Sequence, residues 1–442
     1  MLSKFLYNLF LALYSVGIRV ASTWNPKAKK WLNGRRNIFA TINSKLITQN
    51  TQPIWMHCAS LGEFEQGRPL LEQLKAGNPE QKIVLTFFSP SGYEVMKDYT
   101  GADHVFYLPM DSPQNAKKFL DAVKPSLVLW VKYEYWFYYL TELKQRNITT
   151  VLISGIFRPN QPFFKWYGGI WKKMLESFTH FFVQNEESKE LLATINLKEN
   201  VRINGDTRFD RVLEIAENFI PVPHIEAFCA GNPVIVAGST WEEDEIELLH
   251  FVNVHQHIKF IIAPHEINKI NLHDVKDEFP KSIFYSDLIK ENAAGKPAAE
   301  TNSPQLTENE QPATNNVLII DNIGMLSRLY KYATVTYIGG GFGADGVHNV
   351  LEAAVYGKPV VFGPVYEKFD EAIGLVKAEG GISIDGPVKL ETILNTLLND
   401  EGERNRRGEA AKQYVLENAG ASKKIIKFIV DSSFLNVTFK KP

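Results

Sequence analysis

From residue 54 onward the chain alternates short apolar runs with amphipathic stretches, and this alternation restricts it to a parallel α/β architecture. The runs IWMHCAS, KIVLTFF, HVFYLP, LVLWV, TTVLISG and HFFVQ are almost continuously apolar, as expected of strands covered on both faces. The first set ends near VRINGD at 201–206. A second begins with NPVIVAGS at 232–239 and continues through IKFIIAP, NVLIID, ATVTYIGG and KPVVFG. A length of 442 residues exceeds one ordinary core, so two α/β domains are predicted. The prolines of PVPHIEAF put the hinge near 212–231, which divides the chain into an N-terminal domain at 37–215 and a C-terminal domain at 216–442. Residues 291–316 hold no aromatic residue and one large aliphatic, Leu306; burial cannot offset their ordering entropy, and a flexible insertion is expected. Helical periodicity from about 401 to 431 either completes the second domain or crosses back to the first.

The segment before residue 37 differs in kind. An apolar stretch from Phe5 to Ile18 precedes Lys27, Lys29, Lys30, Arg35 and Arg36. It is short for a bilayer span, which takes about 20 residues, and suits a helix embedded at a membrane surface. Residues 1–36 are therefore read as a membrane-associated helix with a basic flank that meets an anionic cytoplasmic face. A cleaved signal and a terminal helix packed on the protein are the alternatives. The net charge of −2 gives no global case for nucleic-acid binding. Two cysteines, Cys58 and Cys229, support neither a disulfide framework nor a cysteine-rich zinc site.

Five stretches could carry chemistry or binding. In ASLGEFEQGRPL, Ser60 and Glu63 form the S-x-x-E pattern of a capping box at a strand-to-helix junction, so Glu63 is either a cap or a reactive carboxylate. In IGGGFGADGVHNVLEAAVYGKPVVFGP, glycines that include Gly340, Gly341 and Gly343 follow a strand and precede a helix, where unpaired N–H groups would receive a phosphate. The stretch is neither a Walker loop nor a dinucleotide fingerprint. Glu352 in it suits the hydroxyls of a ribose, or simply a helix start. In AGSTWEEDE, Ser239 and Thr240 are ligand candidates or caps. In NGDTRFDR, Arg208 offers a fork for an anion or pairs with Asp206. Arg158, Lys165, Lys172 and Lys173 lie among aromatics and suit lipid phosphates beside an apolar surface, or a solvated helix.

HCASLGEFEQGRPL, FFSPSGYE, YEYWF, NGDTRFD, AGSTWEEDE, APHE and GGGFGADGVHNVLEAAVYGKPVVFGP, in that order over residues 54–380, resemble the 3-deoxy-D-manno-octulosonic acid (Kdo) transferases that act on lipid A precursor. The resemblance implies a GT-B glycosyltransferase: two Rossmann-like domains with an interdomain cleft, plus the N-terminal membrane-associated helix. It implies CMP-Kdo as donor substrate, lipid A precursor as acceptor, inverting chemistry without a catalytic metal or cofactor, and the cytoplasmic side of the inner membrane as its place. Glu63 becomes the general base, Ser239, Thr240, Asn349 and Glu352 fall on the donor side with His265, and Ser91 and Glu134 become acceptor-side or supporting residues. The family's G-N-x-K-F/Y-D is G-D-T-R-F-D here, and its H-P-E-R is HEIN, which alters the donor contacts. A GT-B enzyme with another nucleotide sugar, and a non-catalytic sugar-nucleotide-binding membrane protein, are the competing functions.

Overall fold

The six apolar runs and the start of VRINGD become the first sheet: Ile54–Cys58 (β1), Ile83–Phe87 (β2), His104–Tyr107 (β3), Leu127–Val131 (β4), Thr149–Gly155 (β5), His180–Val183 (β6) and Val201–Ile203 (β7). The computed structural model describes residues 2–46, 52–293, 315–432 and 434. All strand pairs are parallel, in the order β3-β2-β1-β4-β5-β6-β7. Every residue of β1, β2 and β4 is buried, because helices cover both faces. Alternate side chains divide between two cores. Trp55, Val84, Phe106 and Trp130 point to one, and Ile54, Met56, Leu85 and Leu129 to the other.

The second sheet holds Val234–Thr240 (β8), Lys259–Pro264 (β9), Ser282–Phe284 (β10), Val317–Ile319 (β11), Val335–Ile338 (β12), Val360–Phe362 (β13) and Gly381–Ser383 (β14). It is again parallel, ordered β10-β11-β9-β8-β12-β13-β14. The sequence reading omits β10 and β14, three-residue edge strands too short to leave a run. Two parallel sheets flanked by helices, preceded by one apolar helix, form a GT-B-like pair of Rossmann units.

The units comprise Met1–Arg211 with Ala419–Pro442, and Val212–Asn418. The boundary expected at 215/216 left the last helix in the second domain; the helix Ala421–Asp431 instead joins the first. Ile425 and Ile429, fully buried, share a core with Leu70, Leu71 and Leu74 of α4 (the helix Leu61–Gly77), each worth roughly 1.5–3 kcal/mol of transfer free energy. Of the insertion expected at 291–316, residues 294–314 lie outside the described residues; the helix Tyr285–Ala293 runs to its start, and Asn316 at its end is 2% exposed.

Three N-terminal helices, α1 (Leu2–Ala21), α2 (Pro26–Gly34) and α3 (Ile38–Leu46), precede β1. Ser3–Ala21 is long and apolar enough to cross a membrane by length and composition. One stripe of α1, Tyr7, Leu11, Tyr14 and Ile18, packs on the first core. Polar bonds fasten it: Tyr7 donates its hydroxyl to Asp111 Oδ2 at 2.6 Å and Tyr138 donates to Asn8 Oδ1 at 2.6 Å. The opposite stripe, Leu6, Phe10, Leu13 and Val20, remains more than half exposed. The helix is thus both packed on the protein and apolar on its outer face.

Candidate active site

In an open parallel sheet, ligands collect at the carboxyl ends of the strands where the strand order reverses. In the first unit that place lies beyond β1 and β4, since β2 and β3 lie to one side of β1 and β4 to β7 to the other. Glu63 stands in the first turn of α4, just past β1; Lys132 and Glu134 follow β4. Ser60 caps α4 by accepting from Glu63 N–H at 3.5 Å, and the Glu63 carboxylate accepts from Ala59 N–H. The cap is therefore built. Burial raises the Glu63 carboxyl to about 8; the Glu134 charge adds to the rise, and the backbone N–H groups and Lys132 only partly oppose it. A carboxyl capping a helix has no need of so high an affinity for protons. A buried acid poised near neutrality suits proton transfer.

Around it are groups that tune charge. His57 is fully buried and held neutral by burial, which outweighs the pull of Glu134. Trp55 Nε1–H donates to Thr86 Oγ1 at 2.8 Å, and the Thr86 hydroxyl lies 2.9 Å from His57 Nδ1. With that hydroxyl's proton directed to Nδ1, Nε2–H faces Glu134 Oε2 at 3.8 Å, beyond hydrogen-bond range but near enough to attract it. Trp136 Nε1–H binds the same carboxylate at 3.2 Å. Lys132 is 3% exposed, and its φ of +41° is a left-handed conformation that costs a non-glycine residue about 1–2 kcal/mol. Strain of this kind persists where surrounding packing requires a side chain in one place.

The remaining expected residues of this unit separate. Ser91 lies in the first turn after β2, bonded to Ser89 Oγ, and Ser89 N–H binds Ala59 O at 2.7 Å, so its loop adjoins that of Glu63. Arg158 and Lys165 are exposed on the segment after β5. Arg208, expected among donor contacts, belongs to the first unit and grips Asp206 through Nε at 2.8 Å and Nη2 at 2.6 Å. Burial opposes ionisation of Asp206, but Arg208 and Lys132 overcome it and hold the carboxyl at about 2. The rest of NGDTRFDR is structural: Thr207 bonds Ser154 across β5, Arg211 binds Glu65 of α4 at 2.6 Å, and Asp210 accepts from Gly420 N–H and Ser422 N–H at the start of the last helix.

In the second unit the order reverses beyond β8 and β12. Ser239 and Thr240 end β8, His265 follows β9, and Gly340, Gly341 and Gly343 follow β12, so the topology brings these expected residues to one edge. Their local bonds correct two expectations. The Thr240 hydroxyl is buried and donates to Glu245 Oε1 at 2.7 Å, so it is a structural partner of that acid. Nor do the glycines present a row of unpaired N–H groups: Gly340 N–H binds Asp244 Oδ2 at 2.7 Å and Gly343 N–H binds Gly340 O at 3.0 Å. Gly341 is required by contact, since a Cβ there would lie 2.6 Å from Gly363 N. Asn349, two residues before the four-residue helix Leu351–Ala354, donates its Nδ2–H to Glu352 Oε1 at 3.0 Å.

Trp241, His265 and His348 form a stacked set there. His265 lies 4.6 Å from the Trp241 ring and 4.4 Å from that of His348, within 24° and 14° of parallel. Trp241 Nε1–H donates to His348 Nε2 at 3.0 Å, and burial, reinforced by His265, lowers His348 to about 4, so its ring is neutral at physiological pH. Flat rings at a carboxyl edge offer a face for a nucleobase or sugar. Among the described residues no group of three or more His, Cys, Asp or Glu is placed to hold a metal ion.

The family model described as 3-deoxy-D-manno-octulosonic-acid transferase (kdotransferase) matches residues 33–211. A bifunctional glycosyltransferase/methyltransferase of Fusobacterium nucleatum is 26% identical over 356 residues, 79% of this chain and 53% of the relative, so the chain spans about half of that relative's length. A 3-deoxy-D-manno-octulosonic acid transferase of Haemophilus influenzae is 27% identical over 395 residues, 86% of either chain. Among solved structures, UDP-GlcNAc 2-epimerase from Neisseria meningitidis superposes with a TM-score of 0.60 at 16% identity, covering 86% of this chain and all of that one. This chain is a GT-B-fold enzyme related in sequence to the Kdo transferases.

Sequence reasoning on this GT-B enzyme passed over His57, Lys132, Asp244, Trp241 and His348. A signal existed for two of them: His57 interrupts the apolar run IWMHC and Lys132 ends LVLWV, and a polar residue inside a buried strand needs a reason. Trp241 and His348 acquire meaning only once β8, β9 and β12 are neighbours.

Proposed function

We propose that this enzyme is a glycosyltransferase with a nucleotide-sugar donor, that Glu63 is its general base, and that the donor is CMP-Kdo and the acceptor lipid A precursor. The observation that carries the reading is Glu63: a buried carboxyl at the reversal of strand order, raised to about 8 by burial and by Glu134. An acceptor hydroxyl gains nucleophilicity as its proton passes to that carboxylate, and its oxygen then bonds to the anomeric carbon while the bond to the nucleotide phosphate breaks. The nucleotide monophosphate leaves with its negative charge. Ser239, His265, Asn349 and Glu352, the turn of Gly340, Gly341 and Gly343, and the newly found Trp241 and His348 are proposed to hold the donor. Ser91 and Glu134 support the acceptor side, and Arg158 and Lys165 meet lipid phosphates. Arg208 acts by fixing Asp206. The outer stripe of α1 seats the protein in the inner membrane, with Lys27, Lys29 and Lys30 favouring the cytoplasmic face.

The family description and the Kdo transferase relatives support this donor and acceptor. At 26% and 27% identity they support the transferase class more strongly than any one donor, so a GT-B enzyme using another nucleotide sugar is the second reading. Stacked rings are tolerant of the base they hold, which favours that reading at Trp241. The test is product analysis by mass spectrometry after incubation with a tetraacyl disaccharide bisphosphate and either CMP-Kdo or UDP-GlcNAc. CMP release matched by Kdo-bearing lipid is the expected result. Turnover of the UDP-sugar alone rejects CMP-Kdo, and donor binding without product supports the non-catalytic binding protein.

A further inference from the structure

At the foot of α1 lies a cavity of about 750 Å³, lined by Ser15 and Arg19 of α1, by Trp31 of α2 and by Arg35 and Arg36 just after it. Its polar lining is rich in hydrogen-bond donors, and no carboxylate contributes to it. The volume falls within the roughly 300–1,000 Å³ of small-molecule sites. Two features of its wall are incomplete. Trp31, 6% exposed, has an indole N–H without a partner. The Arg35 guanidinium gives three hydrogen bonds to the carbonyl oxygens of Leu108, Trp31 and Phe88 and lies over the rings of Trp31, Phe88 and Tyr107. Among the described residues no carboxylate forms an ion pair with it. A cation so enclosed ordinarily has an anionic partner, and its burial depresses its proton affinity to about 9.

We propose that this cavity binds the phosphate of a membrane phospholipid headgroup, with Arg35 and the Trp31 N–H at its base and Arg19 and Arg36 at its mouth. Guanidinium forks match phosphate oxygens. The location fits the source. Leu13, Val16 and Val20, on the same helix as Ser15 and Arg19, are exposed apolar side chains, so a lipid whose chains lie against that stripe brings its phosphate to the level of the cavity. The charge of Glu134 also reaches Arg35, but the site needs no particular donor sugar; its assignment to a lipid, not the pocket itself, rests on the membrane seating of α1 proposed above.

The test uses the full chain and dihexanoyl phosphatidylglycerol kept below its micelle concentration, titrated by calorimetry, with inorganic phosphate in a parallel titration. Saturable binding of the lipid is expected. It should weaken about tenfold in the Arg19→Gln, Arg36→Gln double variant and in Trp31→Phe, which keeps the ring and loses the N–H. The Lys423→Gln, Lys424→Gln variant, altered on exposed side chains of the helix Ala421–Asp431 outside the cavity, should bind as the parent does. Equal binding by all variants overturns the site, as does an equal loss in the lysine variant, which would mean diffuse attraction. Inorganic phosphate binding as tightly as the lipid overturns the lipid assignment. Sedimentation with neutral phosphatidylcholine vesicles tests α1 separately: a parent that ignores vesicles yet titrates the soluble lipid rejects the seating and retains the pocket.

Discussion

Glu63 is asked to do two things with one carboxyl, and its surroundings show how they coexist. The bond from Ala59 N–H orients the group without lowering its proton affinity to the ordinary carboxylate range, because burial and Glu134 outweigh that bond. A base of this affinity is about one-tenth ionised at pH 7, so kcat/KM should rise roughly tenfold per pH unit below a bend near pH 8. The bend should be absent in Glu63→Gln. Stability carries the opposite signature. The unfolded carboxyl ionises near pH 4.5 and the folded one near 8, so between those values the folded chain retains a proton that the unfolded chain has lost, and stability falls as pH rises. Glu63→Gln removes that loss; its thermal midpoint relative to the parent should be higher at pH 8 than at pH 5, by an amount equivalent to a few kcal/mol. Equal differences at the two pH values would contradict the raised affinity. Glu63 could be read from the sequence because its cap pattern is local. Its high affinity could not, since Glu134 and Lys132 approach it from another strand.

Glycine and aspartate positions decide how the elements join. At Gly339 a Cβ would lie 2.3 Å from Ser239 O and 2.7 Å from Thr240 Cα, both backbone atoms with no room to yield, whereas at Gly343 the nearest atom is Gly340 O at 3.5 Å. Gly339→Ala should therefore cost about 1–3 kcal/mol in denaturant unfolding, with Gly343→Ala well below it. The glycine-rich stretch was legible as a special turn after a strand, but its physical reason is close passage of the chain ends of β8 and β12 as much as anion binding. Asp210 shows the same limit. In sequence it is one acid in NGDTRFDR; in the fold it accepts from the N–H groups opening a helix that lies 210 residues later, with the Ser422 bond at 2.7 Å. Asp210→Asn should cost about 1–2 kcal/mol and raise hydrogen exchange first in Ala421–Asp431. Unchanged exchange there would remove the capping role.

Taken as one molecule, the chain repeats a single design, placing its chemically unusual residues at the reversal of strand order in each of two parallel sheets. The long buried strands were readable because double-sided burial leaves continuous apolar runs; β10 and β14, three residues each at sheet edges, leave none. The return of the last helix to the first unit depends on a distant cap and on where Ile425 and Ile429 find apolar surface. On α1, replacing Phe10 and Leu13 by serine should shift the protein from membrane to soluble fractions while its melting temperature holds, since both side chains are over half exposed. The central claim, that Glu63 moves the proton in sugar transfer, is decided by comparing parent and Glu63→Gln for product formation from CMP-Kdo and for donor affinity in the same preparation. The expected result is turnover lowered about 10²–10⁴-fold with donor affinity unchanged; a variant that turns over as fast as the parent would contradict the account.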